Sequence, residues 1–307
     1  MRYRFGPWQL MLGVVLLCAA LIGVMFYHRS HRDLSDAELF AHLPENASLT
    51  IFIDLKSMRR AGILDMLAGS KLVEEADYRK FVERTGFDYR TDLDAVFAGF
   101  RDGKNYYLIK GRFDWNSLKQ YAIQEGGRCQ NGLCYMNASS SGRYISFMPL
   151  RSRVLAMTVG PDQHEARRLA ENDSEQPYPD LPGAPVWAIA SPQALGNSGS
   201  LPPGTRLFAK ALENAEHITV SLNPQGNQFQ ARMRVVCRTP EDAVVLGAQL
   251  EKVTDVLRKL IQRSDQAPNP NDLSGVLTAG VFRRDDRVVY GQWPIERSFL
   301  EGIAGGS

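Results

Sequence analysis

The 307-residue chain is short of the groups on which most recognisable chemistry depends. It has five histidines. His28 and His31 flank an apolar run, and His42, His164 and His217 each lack a second ligand at metal-motif spacing. No Gly-x-Ser-x-Gly elbow is present: Ser139-Ser140-Ser141-Gly142 and Asn197-Ser198-Gly199-Ser200 read as loops. Ala68-Gly69-Ser70-Lys71 lacks the first glycine of a phosphate-cradling loop. Asp88, Asp92 and Asp94 fall in GFDYRTDLD, without the glycine and later glutamate of an EF-hand calcium loop. No cofactor or metal motif remains. A charge excess is missing too. The chain carries 36 basic and 34 acidic side chains, and setting aside residues 1–32 with their four arginines leaves 32 against 34. A body near −2 has no electrostatic footprint for nucleic acid. Disorder is excluded by 44% hydrophobic and 23% charged residues, which are globular proportions.

What the chain does have is one long uncharged run. From Trp8 to Tyr27, twenty residues contain no charged side chain, and Cys18 behaves as a small hydrophobe. At about 1.5 Å per residue a helix of that length spans a hydrocarbon core of about 30 Å. Trp8 and Tyr27 stand at its ends, where amphipathic rings favour the headgroup level. A cleaved signal peptide is the competing reading. However, Ala19-Ala20 is followed by Leu21-Ile22-Gly23-Val24-Met25-Phe26-Tyr27, so the segment stays apolar past any small-residue site. Lipidation at Cys18 is disfavoured because Leu17 precedes it. Residues 1–32 are therefore expected to be a retained transmembrane anchor, with residues 8–27 in the bilayer. Arg2 and Arg4 favour a cytoplasmic N-terminus only slightly, because Arg29 and Arg32 lie on the other side.

Cys129 and Cys134 flank Gln130-Asn131-Gly132-Leu133, and Asn-Gly is the strongest two-residue hairpin signal. The two cysteines are then a cross-strand pair within disulfide reach. The alternative, a Cys-x4-Cys metal half-site, has no second half. A disulfide places the body in an oxidising compartment, periplasmic or extracellular. Cys237, alternating with Phe229 and Val235, reads as a buried and inert thiol.

The expected fold class is α+β: a transmembrane helix and then two similar mixed units with antiparallel sheets and packed helices. The first unit covers 33–172, a Pro-rich linker covers 173–184, and the second unit covers 185–307. In the first, SLTIFIDL (48–55) reads as a strand, 57–67 and 71–85 as helices, and 95–100 and 105–110 as a hairpin about Asp102-Gly103. Asp114 caps a helix to about residue 124, strands follow near 127–136, 143–149 and 153–159, and Gly160-Pro161-Asp162 opens a further helix. In the second, 185–190 is a strand and 192–195 and 205–214 are helical. Residues 217–222 pair with a return strand after Asn223-Pro224-Gln225-Gly226. That return strand puts Phe229, Ala231, Met233 and Val235 on one face, and Gln228, Gln230, Arg232 and Arg234 on the other. Thr239-Pro240-Glu241-Asp242 starts a helix to about 262; strands near 276–283 and 287–293 and a last helix from Ile295 follow. Arg283 to Arg287 read as a solvated hairpin tip. Both halves run β-α-β-β-α-β-β, which suggests duplication.

TGFDYRTDLDAV (85–96), ITVSLNPQG (218–226) and the strand-cap-helix passage Met233–Lys259, with the anchor, resemble bacterial single-pass membrane proteins that have an extracytoplasmic α+β body and no characterised activity. The resemblance implies a location and a fold, with no catalytic residues to carry over. The expectation is a membrane-anchored cell-envelope protein, non-enzymatic, that binds a protein, an envelope polymer or a lipid. An exported enzyme using carboxylates such as Asp54, Asp88 and Asp92, or a periplasmic carrier of a lipid or small ligand, are the alternatives.

Overall fold

The computed structural model describes residues 34–64, 76–172, 181–195, 208–212, 215–226, 228–263 and 268–305. The Trp8–Tyr27 run lies outside them, as do residues 173–180 of the expected linker. Among the described residues no helix is long and apolar enough to cross a membrane.

Tight turns of the required chemistry fold the chain back on itself. Asp102-Gly103 and Asn131-Gly132 both have positive φ at their two positions, as the hairpin turn that matches strand twist demands. They join β2 (Leu93–Arg101) to β3 (Lys104–Gly111), and β4 (Arg128–Gln130) to β5 (Leu133–Asn137). With β1 (Leu49–Asp54), β6 (Tyr144–Arg151), β7 (Val154–Gly160), β8 (Val186–Ala190), β9 (His217–Gln225), β10 (Gln228–Val236), β11 (Val281–Asp285) and β12 (Val288–Ile295), these strands build one sheet. Its order is β11-β12-β10-β9-β8-β1-β2-β3-β7-β6-β5-β4, and every pairing is antiparallel. Outward from the centre, β1-β2-β3-β7-β6 on one side repeats the chain order of β8-β9-β10-β12-β11 on the other.

Helices start where side chains replace missing backbone partners. Ser35 and Glu38 form a reciprocal box at α1 (Asp36–Ala41). Asp54 caps α2 (Leu55–Arg60), after which come α3 (Ala76–Thr85) and α4 (Tyr89–Asp92). Asp114 caps α5 (Trp115–Gln124), and α6 (Glu165–Glu171) follows β7. Thr239 Oγ1 accepts from Asp242 N at the start of α7 (Pro240–Arg263). The last helices are α8 (Leu273–Thr278) and α9 (Arg297–Gly305).

Alternation divides the apolar residues between the sheet's two faces. One face presents Ile53, Val186, Ile218, Met233, Val235, Val289 and Trp293 to a core shared with α2, α7 and α8. Leu246 and Leu250 of α7 are buried there, at about 1.5–3 kcal/mol for each such side chain. The opposite face packs Phe52, Phe97, Leu108, Val154, Ala156 and Trp187 beneath Leu39 and Leu43 of the α1 region and Leu169 of α6. At the seam Phe52 stacks on Trp187 at 5.3 Å between centroids and meets Phe97 at 4.5 Å.

Several expectations need correction. The two sets of strands share one sheet, because β1 and β8 pair from Leu49–Ala190 to Ile53–Val186. Residues 276–278 are helical: Asp272 accepts from Ser274 N and Gly275 N, and this cap starts α8 ahead of the β-branched run. β9 continues through Pro224 to Gln225 rather than turning at 223. Its β8 neighbour reaches only Leu222, so Pro224 has no ladder partner to deprive on that side. The helix expected from residue 160 starts at Glu165, and β12 extends through Ile295 before α9.

Candidate functional site

The carboxylates proposed for catalysis do not converge. Asp54 accepts from Ser57 N at 2.8 Å and from Ser57 Oγ at 2.6 Å, as a helix cap. Asp88 Oδ1 accepts from Arg90 N and from Tyr78 Oη, while Asp92 accepts from Asp88 N and pairs with Arg112 at 2.9 Å. The Tyr78 hydroxyl is pushed up to about 12 by burial and by Asp88. Asp54 does line a cleft of about 690 Å³ at the end of β1 and β8, with Asp36, Ser57, Phe52 and Trp187. Burial pushes the Asp36 carboxyl up, Lys110 lowers it, and Asp54 adds to the rise. Asp54 accepts from Ser57 as a helix cap, and the described lining of the cleft holds no histidine, cysteine or lysine beside them. Among the described residues no three His, Cys, Asp or Glu side chains gather as metal ligands. Residues of both cores, Phe52 and Trp187 on one side and Met58 and Ile63 on the other, border this cleft.

The sulfurs of Cys129 and Cys134 lie 1.99 Å apart, with Cα atoms 4.0 Å apart, across the register of β4 and β5. Cys237 is buried, and burial pushes its thiol pKa up, so it is held as the unreactive thiol. His164 stands exposed before α6, and His217 projects from β9 on the face opposite Ile218.

Sequence reasoning missed Glu165. It opens α6, yet its side chain is 2% exposed. It accepts from Tyr106 Oη at 3.0 Å, from Lys104 Nζ at 3.2 Å and from Arg168 Nη1 at 3.4 Å. Burial and this carboxylate push the Tyr106 hydroxyl up to about 12. The available signal was a Lys-x-Tyr pair on one face of β3, aimed at a helix that starts with an acid.

The strongest binding feature is the second-half sheet face opposite the α7 core. Two cross-strand rows define it. Ile189, Thr219, Arg234, Tyr290 and Arg283 lie side by side across five strands, and Trp187, Ser221, Arg232, Gln292 and Val281 form the next row. Arg232, Arg234 and Arg283 are exposed. They line an open cavity of about 520 Å³, with Pro182, Ile189, His217 and Tyr290 among its other walls. Arg283 Cζ sits 4.5 Å above the Tyr290 ring, and Arg232 Nε donates to Gln230 Oε1 at 2.6 Å. Among the described residues no carboxylate lies within ion-pair distance of these arginines. The nearest row beyond them ends in Asp285, at the outer strand. Desolvation and then the Arg234 charge hold His217 below the ordinary imidazole range. The alternation that sends Arg232 and Arg234 to one face was legible in the sequence. Arg283, expected in a solvated hairpin tip, lies within β11, stacked on its cross-strand partner Tyr290.

No protein-family model and no curated protein matches the chain. Solved structures of TP0453 are similar in fold. The one titled as crystal form I superposes with a TM-score of 0.51 at 11% identity, covering 89% of this chain and 98% of that one. The one titled as crystal form III gives 0.50 at 11% identity, covering 89% and 99%. At that identity the likeness is one of α+β architecture.

Proposed function

We propose that this chain is a membrane-anchored, extracytoplasmic binding protein with no catalytic role, held in the bilayer by residues 8–27. The observation that carries the binding half of this reading is the open sheet face of Arg232, Arg234 and Arg283. It assembles donors around a cavity of about 520 Å³, a size suited to ligands, lined also by His217, Thr219 and Ser221, and among the described residues no cluster of metal-ligating side chains stands beside it. The anchored half rests on the uncharged Trp8–Tyr27 run and on the cross-strand cysteine pair, since disulfides persist in oxidising compartments. Capping roles for Asp54, Asp88 and Asp92 weigh against a carboxylate enzyme.

The test is fractionation of cells producing the full chain, with thiol alkylation before and after reduction. The expected outcome is a protein that resists alkaline extraction from membranes and whose Cys129 and Cys134 react only after reduction. Recovery in a soluble fraction, or two freely reactive thiols at the hairpin, refutes the anchored reading.

A further inference from the structure

We propose that the Arg232–Arg234–Arg283 face is a binding site for a small polyanion, a ligand that carries two or more phosphate groups. The inference rests on the binding-protein reading above and names the ligand class of that same site. Three features of the face carry it. First, the cations are spaced for several anionic groups rather than one. Arg232 and Arg234 are two residues apart on β10, roughly 7 Å along the strand, while Arg283 stands two strands away, roughly 10 Å across. Second, no carboxylate among the described residues pairs with these arginines, unlike Arg112, Arg153 and Arg168 in the first half. Guanidinium groups with forked donors are suited to phosphate oxygens. Third, hydroxyl groups lie between them, beside apolar Ile189. Thr219 and Ser221 present hydroxyls from β9, and Tyr290 separates Arg234 from Arg283 in one cross-strand row. The Tyr290 ring holds the Arg283 guanidinium from below, which leaves its outer edge free to donate.

One phosphate would meet one or two of these arginines, whereas a chain of phosphates bridges all three. Affinity should therefore grow with the number of linked phosphates, beyond what charge alone supplies at constant ionic strength. The probes are inorganic phosphate and tripolyphosphate, titrated calorimetrically into the full chain in a neutral detergent. Tripolyphosphate is expected to bind about tenfold or more tighter than phosphate, and Arg234→Gln and Arg283→Gln to weaken it about tenfold each. Arg151→Gln, an exposed arginine of β6 in the other half, should leave it unchanged. Because the substituted arginines are exposed, an unaltered unfolding midpoint will show that the variants are folded. Equal affinity for the two probes, no tripolyphosphate binding, or equal loss in the Arg151 variant overturns the proposal. So does retention on vesicles of anionic lipid that exceeds retention on neutral vesicles, is lost in Arg234→Gln and is not displaced by tripolyphosphate, because that identifies an anionic bilayer surface as the occupant. Tripolyphosphate binding by a chain that fractionates as soluble refutes only the anchored reading. Absence of binding in a chain that is membrane-bound refutes only this one.

Discussion

Replacing Glu165 with alanine removes the acceptor at the centre of the first-half polar cluster, and the structure sets how much that should cost. The carboxylate is 2% exposed, and three donors converge on it from Tyr106, Lys104 and Arg168. Breaking a buried pair by deleting one partner costs about 3–5 kcal/mol. Here the cations are only partly trapped, since Lys104 is 26% and Arg168 65% exposed, and both can turn to water. Tyr106 cannot, because it is 6% exposed, so its hydroxyl loses its acceptor at about 1–3 kcal/mol. The lower end, about 3 kcal/mol, is therefore expected for Glu165→Ala. For Glu165→Gln, which keeps an acceptor and the shape, about 1 kcal/mol is expected. In a body of this size 3 kcal/mol corresponds to a fall in Tm of about 6 °C. The assay is urea unfolding of the full chain in detergent, followed by near-ultraviolet circular dichroism. Arg297→Ala, which breaks an exposed pair with Glu301, serves as a control expected at about 0.3–0.5 kcal/mol. A Glu165→Ala effect no larger than that control would refute the argument that burial, rather than charge pairing, gives the cluster its weight.

Three further outcomes follow from particular contacts. Substituting both Cys129 and Cys134 by serine should cost about 2 kcal/mol for so short a loop, with a sequence separation of 5. Faster amide exchange should be confined to residues 128–137 at the sheet's edge, and a rise that spreads to β2 and β3 would contradict this. Tyr78 and Tyr106, two of eleven tyrosines, should ionise near pH 12 in absorbance titrations. The folded state keeps those protons while unfolded tyrosine releases them above about pH 10, so stability should fall as pH rises from about 10 to 12. Titration of all the tyrosines together below pH 11 would count against it. Gly111→Ala places a Cβ 2.6 Å from the Asp92 carbonyl oxygen, a rigid backbone neighbour, and should destabilise by about 1–3 kcal/mol in the same urea assay. A neutral effect would mean that the β2–β3 end can relax.

Local chemistry made much of the fold readable. Asp114, Thr239-Pro240, Asp102-Gly103 and Asn131-Gly132 determine caps and turns within a few residues of themselves, so the elements beside them were found close to their observed bounds. Where local signals compete, reading failed. The stretch Leu273–Thr278 carries both a strand-forming run and an Asp-x-Ser-Gly cap, and only the backbone hydrogen bonds from Ser274 and Gly275 show which prevails. The pairing of β1 with β8 was not legible, because a strand's outer neighbour is set by contacts more than a hundred residues away. The basic face was half visible for the same reason. Alternation places Arg232 and Arg234 together, but bringing Arg283 beside them needs the order of three strands.

The seam formed by β1 and β8 also determines what either half would do alone. Each half's first strand carries an aromatic, Phe52 or Trp187, that finds its stacking partner on the other strand. Severed from its companion, a half would present a bare, sticky rim of unspent backbone donors and acceptors with a large ring at its middle. Since the two rims meet head to tail, an orphaned half has a ready substitute in an inverted copy of itself. Intact, the chain covers that border of each half with the other.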